Sequence, residues 1–217
     1  MNSRRNSPTT LAFTLIELLT VITIIAILMG LLFPAIGIVK EQARKAEAKA
    51  AVVQISAAVK QYFTEYGKYP VGSQEATADV TFGDAANSNA ELFDILRNVG
   101  AGGGKPNQYN PRAIVFFEGK GATSEPPKSG FASTDSGSIK KGAYIDPWGK
   151  QYQVIVDANY DNMVVVPHTD FASPNEPRTG VAVFSLGKDG EIGSPKENLA
   201  GKYKQGSKTS DDIITWQ

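Results

Sequence analysis

The feature that most restricts the fold of this chain is a long apolar run near its N-terminus. Residues 13–39 contain one charged side chain, and residues 18–39 form a stretch of 22 residues without any charge. A membrane-spanning helix needs about 20 apolar residues, whereas the apolar core of a cleaved secretory signal usually has only about 7–15. The length of the run therefore predicts a helix that spans a bilayer.

The segment before the apolar run has the character of a leader peptide. Residues 1–12 are polar, include Arg4 and Arg5, and end in the small residue Ala12 just before Phe13. This boundary predicts a processing site between Ala12 and Phe13. The two arginines favour a cytoplasmic N-terminus, but basic residues also follow the run, so the charge distribution alone leaves its orientation open.

The one charge in the run belongs to Glu17, and it needs compensation because a charged side chain at mid-membrane costs about 2.5–3.5 kcal/mol. Two explanations are open. The carboxylate can lie at the membrane interface, where it complements the positive end of the helix dipole. Alternatively, processing gives Phe13 a new amine, and Glu17, four residues later, pairs with that amine on a neighbouring subunit.

The start of the run also resembles a known processing motif. The sequence Phe-Thr-Leu-Ile-Glu-Leu-Leu at residues 13–19 is similar to the cleavage and methylation motif of type IV prepilins and type II secretion pseudopilins. Glu17 and Pro34 take the fifth and twenty-second positions of the mature chain, as in that family, while Ala12 stands where the family usually has glycine. The resemblance implies removal of the leader by a prepilin peptidase, N-methylation of Phe13, and helical filament assembly through Glu17 and Pro34.

After the run, residues 40–69 have the pattern of an amphipathic helix that continues the first one. The small or apolar positions of this pattern are Ala43, Ala46, Ala50, Val53, Ala57 and Tyr62. Gly67 and Pro70 predict that the long helix ends near residue 66. Pro34 lacks the N–H that a helix needs, so we expect a kink or a locally unwound stretch there.

Residues 70–142 read as a variable region of mostly loop character. Ser88 and Glu91 form a capping-box pattern ahead of a short apolar segment, which predicts a second helix that ends at Gly100. Residues 113–117 are apolar and predict a strand. The following polar stretch is predicted to be exposed surface.

The C-terminal part, residues 143–217, is rich in β-branched and aromatic residues between turn-forming ones. Strands are predicted at residues 152–156, 163–166 and 181–186. These strands suggest an antiparallel sheet packed on the long helix. The expected fold class is therefore α+β, with the arrangement of a type IV pilin-like protein.

Two further motifs resemble the major pseudopilin of type II secretion. They are Asp-Pro-Trp-Gly at residues 146–149, which we interpret as a turn with a core tryptophan, and Phe-Ser-Leu-Gly-Lys-Asp-Gly at residues 184–190. In the major pseudopilin the loop after this second motif binds calcium, so the resemblance implies a calcium loop here. Calcium takes about 6–8 oxygen ligands and tolerates such irregular loops. The implied ligands are the carbonyl of Leu186 and the carboxylates of Asp189 and of Asp211 or Asp212. A solvated hairpin is the alternative for residues 190–210.

Composition argues against other classes of protein. Basic and acidic residues both number 22, so no polyanion-binding surface and no nucleic-acid partner are predicted. Cysteine is absent, and His168 is the single histidine, which we interpret as a loop residue rather than a catalytic base. Residues 157–162 open like a calcium loop, but the twelfth position is His168 and not glutamate, so they predict a hairpin turn. We expect no enzymatic activity.

Together these features predict a structural subunit of a type II secretion pseudopilus. The expected location is the bacterial inner membrane, with a single span and a periplasmic C-terminal domain. Its expected partners are copies of itself, other pseudopilins, the inner-membrane secretion platform and the prepilin peptidase. The alternatives are a type IV pilin or competence pseudopilin, which shares the N-terminal motif, and a membrane-tethered module that binds a polymer through residues 71–142.

Overall fold

The computed structural model describes residues 14–73, 77–100, 107–168, 177–192 and 211–216. It divides into two compact units, Met1–Ala43 and Arg44–Gln217, and each is described separately. The predicted processing residues Ala12 and Phe13 lie outside the described residues.

The first unit is the N-terminal part of helix α1, whose full extent is Leu15–Tyr66. Its backbone is helical through Pro34, so the locally unwound stretch expected at this proline is not observed. The large apolar side chains described between residues 15 and 39 are between 41% and 83% exposed. Within the part of the chain that the structure describes, no helix is both long and apolar enough to cross a membrane.

Besides the C-terminal part of α1, the described residues of the second unit form a short helix and six short strands. These elements are β1 Val80–Phe82, α2 Ala90–Leu96, β2 Gly130–Phe131, β3 Tyr144–Ile145, β4 Gln153–Val156, β5 Val181–Ser185 and β6 Ile213–Ile214. Four strands form one sheet in the order β1-β4-β5-β6, and β2 pairs with β3. Every pair is antiparallel.

Successive residues of a strand point to opposite faces of the sheet. In this sheet both faces carry apolar residues, and both are covered. Val154, Val156 and Val183 face the C-terminal half of α1 and pack in the same apolar cluster as Ile55 and Val59. The opposite face carries the apolar residues Ile155, Ala182, Phe184 and Ile214, which pack with Val164, Val166 and Trp216. The helix-on-sheet arrangement confirms the predicted α+β class and is consistent with a pilin-like fold.

The face of α1 that meets the sheet differs from the predicted one. Of the six positions predicted from the pattern, only Tyr62 is buried, and Ala43, Ala46, Ala50, Val53 and Ala57 are exposed. The buried stripe consists instead of Ala48, Ala51, Val52, Ile55, Ala58, Val59 and Tyr62. The reason is that the helix has two apolar stripes, and the sheet covers the one with the larger side chains, whose burial removes more apolar area from water.

Two predicted strands are wrong. In residues 113–117, the N–H groups of Phe116 and Phe117 both donate to the carbonyl of Leu96, so this segment is fixed to the end of α2 rather than to a strand. Residues 163–166 alternate between buried and exposed, as a strand does. The N–H groups of Val164 and Val165, however, donate to the Pro177 carbonyl and the Asp79 carboxylate, not to a neighbouring strand.

The start of α2 also differs from the predicted capping box. The N-cap is Asn89, and it makes no side-chain capping bond. The Ser88 hydroxyl donates to Gln151 Oε1 at 2.8 Å, and the Glu91 carboxylate accepts hydrogen bonds from Ser73. The helix ends at Leu96, before the predicted Gly100. Both side chains of the pattern therefore make long-range contacts, and Ser88 Oγ also accepts a local hydrogen bond from the Ala90 N–H at 3.3 Å.

Candidate assembly and metal sites

The first candidate site is the N-terminus of α1, where Thr14 and Glu17 contact each other reciprocally. Glu17 Oε2 accepts hydrogen bonds from the Thr14 N–H at 2.8 Å and the Thr14 hydroxyl at 2.7 Å. The Glu17 N–H donates to Thr14 Oγ1 at 3.3 Å. This is a capping box, in which the side chains at the N-cap and third helical positions satisfy each other's backbone N–H.

The capping box bears directly on the two explanations for Glu17. In a single chain the carboxylate is held by the helix start, which supports its interaction with the positive end of the helix. Thr14 was not among the predicted site residues, although its position three residues before Glu17 is the sequence signal of a capping box. The amine of Phe13 and the side chain of Pro34 lie outside the described atoms, so their roles in assembly stay predictions.

The second candidate site is a group of three carboxylates, Asp189, Asp211 and Asp212. One oxygen from each of them lies within 4.8 Å of the others. Asp189 follows β5, and the other two precede β6, so pairing of these strands brings together residues that are far apart in sequence. The structure thus places the predicted carboxylate ligands side by side. The contribution of the Leu186 carbonyl stays a prediction.

A tight turn after β5 makes this approach possible. Gly187 has φ +65°, and a Cβ at this position would lie 2.6 Å from the Asp211 carbonyl oxygen and 2.7 Å from its Cγ. Only glycine combines this backbone conformation with such a close contact. Asp211 Oδ2 accepts a hydrogen bond from the Lys188 N–H at 2.7 Å. The turn is therefore fastened to the segment that carries Asp211 and Asp212.

The electrostatics of this group favour a cation. Burial raises the pKa of Asp189, and the negative charges of Asp211 and Asp212 raise it further, whereas a hydrogen bond from the Glu191 N–H acts in the opposite direction. The three carboxylates supply the hard oxygen ligands that calcium prefers. The oxygen ligands of the three carboxylates fit a bound calcium ion, and so does the turn after β5 that is hydrogen-bonded to Asp211.

The Asp-Pro-Trp-Gly motif forms a turn, as predicted, but its buried centre is Asp146. Asp146 Oδ1 accepts hydrogen bonds from the N–H groups of Trp148 at 3.0 Å and of Gly149 and Lys150 at 2.8 Å each. Its Oδ2 accepts one from the Ser185 hydroxyl at 2.6 Å. Trp148 is partly buried against the main core. The motif therefore ties the turn before β4 to the end of β5.

The oxygen-rich segment 157–162 also forms a turn. Asp157 accepts hydrogen bonds from the N–H groups of Asp161 at 3.2 Å and Asn162 at 2.8 Å. Its carboxylate therefore stabilises the backbone of the turn. The prediction of a hairpin is wrong, since β4 pairs with β1 and β5 and not with the segment that follows the turn.

His168 lies outside the strands, as predicted, but its burial was not expected. Its side chain and that of Asp212 are both 0% exposed, and its Nε2 lies 3.2 Å from Asp212 Oδ2. The sequence carries no local signal for this pairing, because the two residues are 44 positions apart. His168 therefore contacts a residue of the acidic group.

Three comparisons with known proteins give one relative of the whole chain. No protein-family model matches the chain, and no solved structure matches it. Type II secretion system core protein G of Aeromonas hydrophila is 24% identical over 216 residues, which cover 100% of this chain and 96% of that protein. The chain resembles a type II secretion pseudopilin. The resemblance extends over 100% of the chain, and it indicates a structural subunit rather than an enzyme.

Proposed function

We propose that the chain is a subunit of a type II secretion pseudopilus, which polymerises from the bacterial inner membrane and drives protein export across the outer membrane. The observation that carries this proposal is the similarity to core protein G, which extends over 100% of the chain. Its partners would be further copies of itself, other pseudopilins and the inner-membrane secretion platform. A prepilin peptidase would remove the leader before assembly.

Residues 13–39 would anchor the subunit with one span, leaving the second unit in the periplasm. The 22 uncharged residues at 18–39 support this placement, as do the large apolar side chains of α1 that are exposed along this segment. In water, this exposed surface would be unfavourable by roughly 25 cal/mol per Å². Lipid around the free subunit, and neighbouring helices in a filament, would remove it from water.

Glu17 would exchange partners on assembly. In the single chain its carboxylate is held by Thr14. In a filament it would accept the methylated amine of Phe13 from a neighbouring subunit, and this ion pair would fix the register between the two helices. An unpaired charge in an apolar environment is costly, so a subunit in any other register would be disfavoured.

We expect mass spectrometry of the assembled protein to find a chain that begins with N-methylated Phe13. The physical basis is the small residue Ala12 before the apolar run and the processing motif at residues 13–19. The protein is to be isolated from membranes of a strain with an active prepilin peptidase and compared with a strain that lacks the peptidase. A chain that still begins at Met1 in the active strain would contradict the proposal.

Calcium would be held by Asp189 and by Asp211 or Asp212, with the Leu186 carbonyl as a further ligand. Its bound charge would offset the repulsion among the carboxylates. The ion would also join the turn after β5 to the start of β6, and so hold together the two ends of residues 190–210.

Calcium is expected to raise the melting temperature of the full-length chain in detergent micelles by several degrees. Binding at 100 times the dissociation constant adds about 2.7 kcal/mol of stability, and each kcal/mol raises Tm by about 2–4 °C in a protein of this size. Differential scanning fluorimetry in calcium and in chelator measures the shift.

Asp189→Asn should remove most of this shift. Asp161→Asn, in the other oxygen-rich turn, should keep it, because its amide oxygen can still accept the Met163 N–H. If wild-type protein melts at the same temperature in chelator and in millimolar calcium, the calcium proposal fails. The proposed filament role is tested separately by the processed N-terminus.

A further inference from the structure

The contact between His168 and Asp212 is buried on both sides. Both side chains are 0% exposed, and His168 Nε2 lies 3.2 Å from Asp212 Oδ2. His168 lies two residues after Val166 in the segment that covers the far face of the sheet, and Asp212 lies directly before β6. A histidine buried beside a carboxylate at this distance can donate its ring N–H to it.

Packing fixes the orientation of the His168 ring. The ring meets Phe184 edge-on, with centroids 4.8 Å apart and planes at 87°, and meets Trp216 with centroids 5.4 Å apart at 66°. Phe184 belongs to β5, and Trp216 follows β6. Because the surrounding side chains are close-packed, the ring nitrogen that faces Asp212 cannot readily turn away from it.

Asp212 needs such a restraint. It belongs to the group of three carboxylates whose oxygens lie within 4.8 Å of one another. Without a cation, the other two carboxylates repel it and favour a side-chain rotamer that points away from them. A donor that holds one side of the Asp212 carboxylate keeps that group in place before the ion arrives, so less ordering remains to be done on binding.

We infer that His168 is a positioning residue of the acidic site, and that its Nε2–H holds Asp212 in the geometry in which the group binds a divalent cation. The inference rests on the proposed calcium site and adds a role for the single histidine of the chain. Loss of a hydrogen bond that orients a metal ligand typically reduces metal affinity by about 10–100-fold. The same loss is expected here.

The first test measures calcium affinity directly. Equilibrium dialysis with radioactive calcium is to be done on the full-length chain in detergent micelles, purified through a tag without histidine. His168→Leu removes the donor and keeps an apolar side chain of similar size, so we expect its dissociation constant to rise by about 10-fold or more. His168→Gln places an amide N–H near the Nε2 position, and its dissociation constant should return most of the way to wild type.

Val166→Ala is the matched control for packing. Val166 is 3% exposed and lies in the same segment and cluster as His168. This change should lower the melting temperature in chelator but leave the calcium dissociation constant unchanged. If His168→Leu behaves like Val166→Ala, the positioning role is wrong while the calcium site stands. If wild-type protein binds no calcium, the calcium site is wrong and the inference falls with it.

The second test does not require a bound ion. The chain has one histidine, so protein labelled with nitrogen-15 in its imidazole gives one pair of ring nitrogen signals. In chelator we expect the signal of Nε2 to be that of a protonated nitrogen, and Asp212→Asn to shift it. A neutral ring with its proton on Nδ1 in the wild-type protein would overturn the inference.

Discussion

Replacing Glu17 with alanine is expected to abolish incorporation of the subunit into filaments, while leader removal continues. The change deletes the only charge in residues 13–39 and makes membrane insertion more favourable, by about 2.5–3.5 kcal/mol if the side chain lies at mid-membrane. Loss of assembly would therefore not result from poor insertion. Shearing of filaments from cells and immunoblotting of the sheared and membrane fractions measure the effect.

A glutamine at this position separates the two roles of Glu17. Glutamine can occupy the third position of a capping box and still accept the Thr14 N–H, but it carries no charge to pair with an amine. Glu17→Gln should therefore fail to assemble, as Glu17→Ala does. Thr20→Ala is the control, since it removes one hydrogen bond to the Glu17 carbonyl and no charge. Normal filaments from Glu17→Gln would show that capping alone accounts for this glutamate.

Replacing Asp146 with alanine is expected to destabilise the second unit by about 3 kcal/mol. Asp146 is 0% exposed, and its side chain accepts hydrogen bonds from three backbone N–H groups and the Ser185 hydroxyl. Hydrogen bonds to a charged group contribute about 1.5–3 kcal/mol each. Part of this gain is offset by the cost of burying the carboxylate, which raises the pKa of Asp146.

Thermal unfolding in detergent measures this effect. At about 2–4 °C for each kcal/mol, the melting temperature should fall by about 6–12 °C. Asp135→Ala is the matched control, because Asp135 is exposed and its carboxylate makes a 3.8 Å ion pair with Lys140 and accepts one hydrogen bond, from the Lys141 N–H at 2.8 Å. A surface pair of this kind contributes about 0–1 kcal/mol. If the two variants have the same melting temperature, the Asp146 turn is not a stabilising element.

The extent of the long helix followed from local patterns, whereas its packing did not. Periodicity and the stop signals at Gly67 and Pro70 predicted an end near residue 66, and α1 ends at Tyr66. The same periodicity could not distinguish two apolar stripes on one helix. The stripe that becomes buried is the one that the sheet covers. The sheet is formed by residues far along the chain, so the helix sequence alone does not show which stripe this is.

The two wrong strands have a similar cause. Residues 163–166 have the composition and the alternating burial of a strand, but the N–H groups of Val164 and Val165 donate to the Pro177 carbonyl and the Asp79 carboxylate. Strand propensity describes side chains that fit a half-buried surface, and it does not specify where the backbone hydrogen bonds go. The local residues therefore favoured a strand, but the long-range hydrogen bonds of the backbone excluded it.

The candidate sites were predicted to different degrees, because some have a local sequence signal and others join residues that are far apart in the chain. Glu17 is conspicuous as one charge in an apolar run, and Thr14 stands at the capping distance from it. The acidic group was predicted only through resemblance to the major pseudopilin, since Asp189 and Asp211 are 22 residues apart. The His168–Asp212 contact has neither a local pattern nor a family motif, and only the folded chain brings these two side chains together.

The Gly187 turn has a consequence for engineering this protein. The Lys188 N–H lies 2.7 Å from the Asp211 carboxylate, so the fold holds the two ends of residues 189–210 close together. The entropy cost of closing a flexible loop grows only with the logarithm of its length, by about 0.6 kcal/mol for each doubling. A longer connection between these two ends, such as an inserted epitope or fluorescent-label sequence, would therefore add little closure cost, which makes this part of the chain a suitable position for following the subunit in living cells.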